Sequence, residues 1–342
     1  MRRRLLPLVC MLVMLLAWSS DAAANPATSW AQAELKAVVA AGLMAKEAAA
    51  RPNDPLTRGQ LETISSGLLH VTPAKPTSTA ATVTISALDA KLVTTLGLSS
   101  AAKVFAQNVK AAGLAPPARF GTEVVARVLG LRTDHPASLD ALELSPNEPA
   151  NHAEAAYSAA RILHLGEWDA ASTEQLAQTF VPRAYTPWQK QILDTAVHFI
   201  GYPYVWGGES ETTASPFGPQ AHGGFDCSGF VWRVYKLQTY AKGGTLADVL
   251  KGRTTYAMSG EVPAGKRVAL AKLQPADVIF FGAAGTKSKP AQVNHMGIYL
   301  GNGWFIHSSG YGVAVAQLSG WYAKRFAWGR RPLAEAGLAS AS

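Results

Sequence analysis

Apolar positions in the first half of the chain recur with a helical period. Ala31, Leu35, Val38, Val39 and Leu43 share one face of a helix predicted over 31–50. Pro52-Asn53-Asp54-Pro55 breaks it. Thr57 to Ile64 then opens a second helix, with Thr57 as N-cap and Gln60 at the capping-box position. The same break and start recur 94 residues later in Pro146-Asn147-Glu148-Pro149, with Asn151 in place of Thr57 and Glu154 in place of Gln60. The two apolar runs that follow end alike, in Leu68-Leu69-His70 and Ile162-Leu163-His164. A weaker copy runs between them, from Ser86-Ala87-Leu88 to Leu131. Repetition of small helical units predicts stacked modules. A generic helical domain is the alternative. Thr72 to Thr79, rich in Pro, Ser and Thr, reads as a linker.

From Trp188 onward the pattern changes, with Gly, Trp, Tyr and β-branched residues more frequent. The boundary falls near Val181–Pro187. Thr186-Pro187 caps a helix that runs through Ile192, Ala196 and Phe199 and ends at Gly201. A polar loop spans 209–224 and carries His222. Asp226 caps a helix predicted from Cys227 to Lys236, with Phe230, Val231, Val234 and Tyr235 on its apolar face. Val278–Phe281 and Met296–Leu300 read as buried strands, and Trp304–His307 returns after the hairpin signal Gly301-Asn302-Gly303. The expected architecture is an all-α repeat domain over 25–183 followed by an α+β domain over 184–335, in which a helix packs on a small antiparallel sheet.

The first residues change the picture. Arg2-Arg3-Arg4, the 14-residue apolar run Leu5–Trp18 and Ala22-Ala23-Ala24 make the three parts of a secretory signal peptide over 1–24. A membrane anchor is the competing reading, but the run is shorter than the ~20 residues a spanning helix needs. Leu8-Val9 before Cys10 argue against lipidation, so no stable membrane anchor is expected after cleavage. The expectation is a secreted or wall-associated protein. Loss of 24 of 342 residues would leave 318, and the net charge of +8 would fall to about +6 with three Arg and one Asp. That modest positive balance suits either plain solubility or residence near anionic wall polymers. The basic residues are scattered, which argues against nucleic acid.

The mature chain would hold one cysteine, Cys227, whereas exported proteins pair their cysteines or lack them. Most single cysteines are packing residues. This one sits in Phe-Asp-Cys-Ser-Gly at a predicted helix start, where free backbone N–H groups favour a thiolate and can donate to an oxyanion. A thiol nucleophile needs a base. His295 opens one strand of the predicted hairpin and His307 closes the other, so pairing can set the two imidazoles side by side. Either histidine alone has an ordinary structural reading. Metal binding would need a third ligand at short spacing, which is not evident, so no metal and no cofactor is expected.

These residues resemble the NlpC/P60 family of cell-wall cysteine peptidases. The blocks are Pro203-Tyr204-Val205-Trp206-Gly207-Gly208, Phe225-Asp226-Cys227-Ser228-Gly229-Phe230, Leu273-Gln274-Pro275-Ala276-Asp277 and His295-Met296-Gly297-Ile298-Tyr299-Leu300-Gly301. The resemblance implies a papain-like fold, Cys227 as nucleophile, His295 as general base and His307 as the polar group that orients it. Tyr204 would help bind the oxyanion, and Asp226 and Ser228 would shape the substrate pocket. Arg253-Thr254-Thr255 matches a segment that packs beside the site. The implied activity is hydrolysis of peptidoglycan stem peptides, between D-glutamate and diaminopimelate. Amidase or acyl-transfer chemistry on the same trio, or a non-catalytic wall-binding role, are the alternatives. Leu56-Thr57-Arg58-Gly59-Gln60 resembles the S-layer homology repeat, which implies binding of cell-wall polymer with Arg58 as a contact. An exposed basic residue near a helix start is the plain reading of Arg58.

Overall fold

The computed structural model describes residues 29–72 and 80–338. The expected signal peptide 1–24, with Cys10, and most of the Thr72–Thr79 linker lie outside the described residues. Helices α1 (Gln32–Ala40), α2 (Lys46–Ala49), α3 (Arg58–Leu68), α4 (Ile85–Thr95), α5 (Ser99–Ala111), α6 (Phe120–Val128), α7 (His152–Ile162) and α8 (Glu167–Thr179) make up the first half. The predicted capping box of α3 is formed: Thr57 Oγ1 accepts from the Gln60 backbone N–H at 3.3 Å, and Gln60 Oε1 accepts from the Thr57 N–H at 2.8 Å. Asn151 Oδ1 caps α7 in the same way, accepting from the Glu154 N–H at 2.9 Å. Thr84 caps α4, two residues before the start predicted for the middle copy.

The residues just ahead of these three caps hold one another. The Leu56 N–H donates to the Ala150 carbonyl, the Ala150 N–H to Val83, and the Val83 N–H back to Leu56, at 2.7, 2.8 and 3.1 Å. This closed ring satisfies backbone groups that would otherwise be buried without partners, since Leu56 and Ala150 are buried.

Helix α9 (Pro187–His198) opens the second half, with Thr186 and Gln189 forming its capping box. A short ribbon, β1 (Glu209–Ser210) and β2 (Gly224–Phe225), precedes α10 (Cys227–Trp232). The helix expected to run to Lys236 instead widens into a π-turn over Arg233–Leu237. A five-stranded antiparallel sheet follows: β3 (Val278–Gly282), β4 (Val293–Gly301), β5 (Trp304–Ser309), β6 (Gly312–Gln317) and β7 (Phe326–Arg330), in the order β6-β5-β4-β3-β7. The β4–β5 turn is the predicted one. Gly301, Asn302 and Gly303 all have positive φ, at 101°, 49° and 78°.

The larger of two hydrophobic clusters among the described residues runs from the helices into the sheet, and a smaller one of Ile279, Phe281, Tyr299, Phe305 and Phe326 covers the sheet's other face. Trp304, at the start of β5, is the link between helices and sheet. Its ring lies 5.0 Å from that of Phe180 and 6.1 Å from that of Phe105, and its indole N–H donates to the Thr179 carbonyl at 3.1 Å. Asn302 adds a bond across the same seam, to the Val181 carbonyl, and Tyr185, just past it, donates to the Leu300 carbonyl. Among the described residues no helix is long and apolar enough to cross a membrane.

A core shared by helices and sheet predicts one cooperative unfolding transition for the chain, seen by coincident fluorescence and circular dichroism curves in urea. Trp304→Ala should cost about 3–5 kcal/mol and shift that whole transition to lower urea. Two separated transitions in the unsubstituted chain would contradict the shared core.

Candidate active site

Helix α10 is held by its first residues. Asp226 Oδ1 accepts from the Gly229 N–H at 2.5 Å and from Ser228 Oγ at 2.8 Å, so the acid caps α10 at Cys227. Arg253 ties this turn to the neighbouring loop. Its guanidinium donates to Ser228 Oγ at 2.7 Å, to the buried Glu209 carboxylate at 2.5 Å and to the Gly207 carbonyl at 2.9 Å. A Cβ at Gly229 would overlap the Gly208 carbonyl, so only glycine lets the helix approach this loop.

Cys227 is buried, and it is the cysteine among the described residues. Its sulfur lies 3.4 Å from Thr255 Oγ1. The backbone at Met296 and Ser228 also supports the thiolate. These groups do not prevail. Burial, and then the Asp226 carboxylate, push the thiol up to about 11. Burial therefore works against the thiolate that the helix start favours. The helical segment is only six residues long, and loss of water outweighs its end.

The imidazoles stand on the sheet against which α10 packs. His295 neighbours Met296 on β4, the strand that α10 packs against. His295 Nε2 is 2.8 Å from His307 Nδ1. Gly297 makes that meeting possible, because a Cβ there would sit 3.0 Å from the His307 Cβ. The rings rest on aromatics: Phe281 stacks on His295 at 5.6 Å, and Tyr322 meets His307 edge-on at 5.4 Å. Burial, with Arg325 nearby, lowers His295 to about 4. Burial, and then the neighbouring ring, drive His307 well below its ordinary range. Both rings are therefore neutral near pH 7. With the Nε2 side engaged by His307, Nδ1 is the ring nitrogen of His295 left for a substrate or thiol proton.

Tyr204 is part-buried. Burial, and then the charges of Cys227, Asp226, Asp134 and Asp140, raise its phenol, so it stays a donor. The structure thus gathers Cys227, His295, His307, Tyr204, Asp226 and Ser228 into one region. It does not bring Arg58 there: Arg58 is exposed at the first turn of α3, and no hydrogen bond or ion pair among the described residues joins it to the site. His222 does not approach the thiol; its ring is 3.3 Å from Glu148. Gln220 pins the 209–224 loop by donating to the Ser210, His222 and Gly224 carbonyls. Sequence reasoning missed Glu209 and Tyr322, since an acid in a polar loop and a tyrosine in a short helix carry no local signal. Among the described residues no cluster of His, Cys, Asp and Glu is placed to hold a metal ion.

Residues 201–331 match the NlpC/P60 family. The γ-D-glutamyl-L-lysine dipeptidyl-peptidase of Bacillus subtilis (strain 168) is 32% identical over 130 residues, covering 38% of this chain and 35% of the relative. The probable peptidoglycan endopeptidase LytE of the same strain is 37% identical over 134 residues, covering 39% and 31%. The murein DD-endopeptidase MepH of Escherichia coli (strain K12) is 31% identical over 147 residues, covering 42% and 45%. The chain thus spans about a third of the length of the first two relatives and under half of the third.

A buried, protonated thiol predicts slow alkylation. The rate with iodoacetamide, which needs the thiolate, should keep rising toward pH 11. Thr255→Val removes a partner of the thiolate and should slow the reaction further at each pH. A plateau already reached below about pH 7 would instead reveal a resting thiolate–imidazolium pair.

Proposed function

From residues 201–331 as an NlpC/P60 family domain, we propose that this chain is a cell-wall cysteine endopeptidase that hydrolyses peptidoglycan stem peptides between D-glutamate and diaminopimelate. The observation that carries the reading is the 2.8 Å contact of His295 with His307, on the two strands against which the Cys227 helix packs. The relatives' names, a γ-D-glutamyl-L-lysine dipeptidyl-peptidase among them, favour a bond to a diamino acid.

In this reading His295 is a general base, which suits the upward push on the thiol and the downward push on His295. As Sγ of Cys227 bonds to the carbonyl carbon, its proton passes to His295 Nδ1. His307 holds the His295 ring through Nε2 and offsets the charge that develops on it. Negative charge gathers on the carbonyl oxygen, where the Tyr204 hydroxyl and the backbone N–H groups at the start of α10 can donate. His295 then protonates the leaving amine, and a thioester remains on Cys227. Water attacks the thioester carbon, giving its proton to His295, and the thiol leaves reprotonated. No metal or cofactor enters.

The helical half is read as a wall-binding unit with S-layer-homology-like repeats. The backbone ring joining the starts of α3, α4 and α7 supports a three-fold arrangement, and exposed Arg58 is the proposed polymer contact. Binding there would raise the local concentration of stem peptides. This role goes with an exported protein held at the wall.

Cys227→Ala should abolish muropeptide hydrolysis while leaving the unfolding transition unchanged within about 1 kcal/mol. Full activity in that variant would remove the thioester mechanism. Mass spectrometry of products from defined muropeptides should give a fragment ending in D-glutamate and one beginning with diaminopimelate. Release of the intact stem from the sugar would assign an amidase instead. The acid limb of kcat/KM should lie near pH 4, since the base is lost as His295 is protonated on lowering pH through its depressed value. A limb near the ordinary histidine value of about 6.5 would remove His295 as a buried base.

A further inference from the structure

The segment His198–Trp206, which carries Tyr204, belongs to the sheet half of the chain but is held by side chains of the helical half. Arg119 donates to the His198 carbonyl at 2.7 Å and to the Ile200 carbonyl at 3.0 Å. Arg127 donates to the Gly201 carbonyl at 2.7 Å. The carboxylate of Asp140 accepts from the Trp206 N–H at 2.7 Å. Asp140 is buried and Trp206 exposed, so the carboxylate holds the edge of the segment from the protein side. Gly201 has φ 92°, and a Cβ there would lie 2.5 Å from the Glu123 carboxylate. Glu123 is the ion-pair partner of Arg127, so the helical half has grown against this backbone turn.

Between the anchors the segment is not tightly packed from behind. A cavity of about 20 Å³, room for about one water, is bounded by Arg127, Glu154, Pro203 and Tyr204. The Pro203 carbonyl accepts from the Phe225 N–H at 3.1 Å, and Phe225 leads directly into Asp226 and Cys227. Displacement of the segment would therefore move Tyr204 relative to the thiol. We propose that Asp140, with Arg119 and Arg127, is a positioning residue for the active site: it acts through the Trp206 amide to fix Tyr204 against Cys227, so the helical half completes the catalytic centre as well as carrying it. The proposal rests on the peptidase reading for its catalytic consequence but not for the clamp itself.

The test uses the full chain with Asp140→Ala and Asp140→Asn. Hydrogen exchange of peptides covering 200–206 reads the clamp, and kcat and KM on a muropeptide read its consequence. Asp140→Ala should speed exchange at Trp206 and lower kcat about 10- to 100-fold, with KM little changed. Asp140→Asn keeps an acceptor oxygen and should restore most of both. Unchanged kcat in Asp140→Ala overturns the proposal, whatever the exchange shows. Equal loss in both variants with unchanged exchange also overturns it, and assigns the carboxylate to substrate binding. A wild-type chain that cleaves no muropeptide defeats the peptidase reading separately. Exchange then decides the clamp, and no difference between Asp140→Ala and wild type overturns it.

Discussion

The contact between His295 and His307 depends on a missing side chain. Two imidazoles on adjacent strands meet at 2.8 Å only if the residue beside them leaves the space open, and Gly297 does so. The hairpin turn sets which residues of β4 and β5 face each other, and the burial of Trp304 among Phe105 and Phe180 fixes where β5 begins. A slip of β5 by one position would turn His307 to the other face of the sheet, away from His295. The chemistry of the site is thus a consequence of strand register, and register is a consequence of packing against the helices.

The electrostatics follow from the same burial. In water, a thiol at a helix start beside imidazoles would tend toward an ion pair. Here the rings lie over Phe281 and beside Tyr322, and the sulfur is enclosed with a carboxylate close by. Each charged form loses hydration without gaining a full counter-charge, so the neutral forms prevail.

Much of this was legible in the residues because local rules dominate where it lies. The caps at Thr57, Asn151, Thr186 and Asp226 all formed, since a cap depends on side chains within one turn. The hairpin at Gly301–Gly303 and the pairing of the histidines followed from turn chemistry and alternation. What was not legible depends on partners far away in sequence. The π-turn after Trp232 breaks no propensity rule. The raised thiol reflects burial and the Asp226 carboxylate, which outweigh the support of Thr255 and Met296 on other elements. The bonds of Arg119, Arg127 and Asp140 to the 198–206 backbone join segments that neither motif nor periodicity links.

Enclosure of Cys227 has a consequence outside catalysis. Peroxide and other small oxidants attack thiolates, and they need a path to the sulfur. A sulfur that is protonated at rest, covered by α10 and β4, and without a second cysteine among the described residues offers them little. Its neighbours thereby shelter a bare thiol that has no second cysteine among the described residues to pair with.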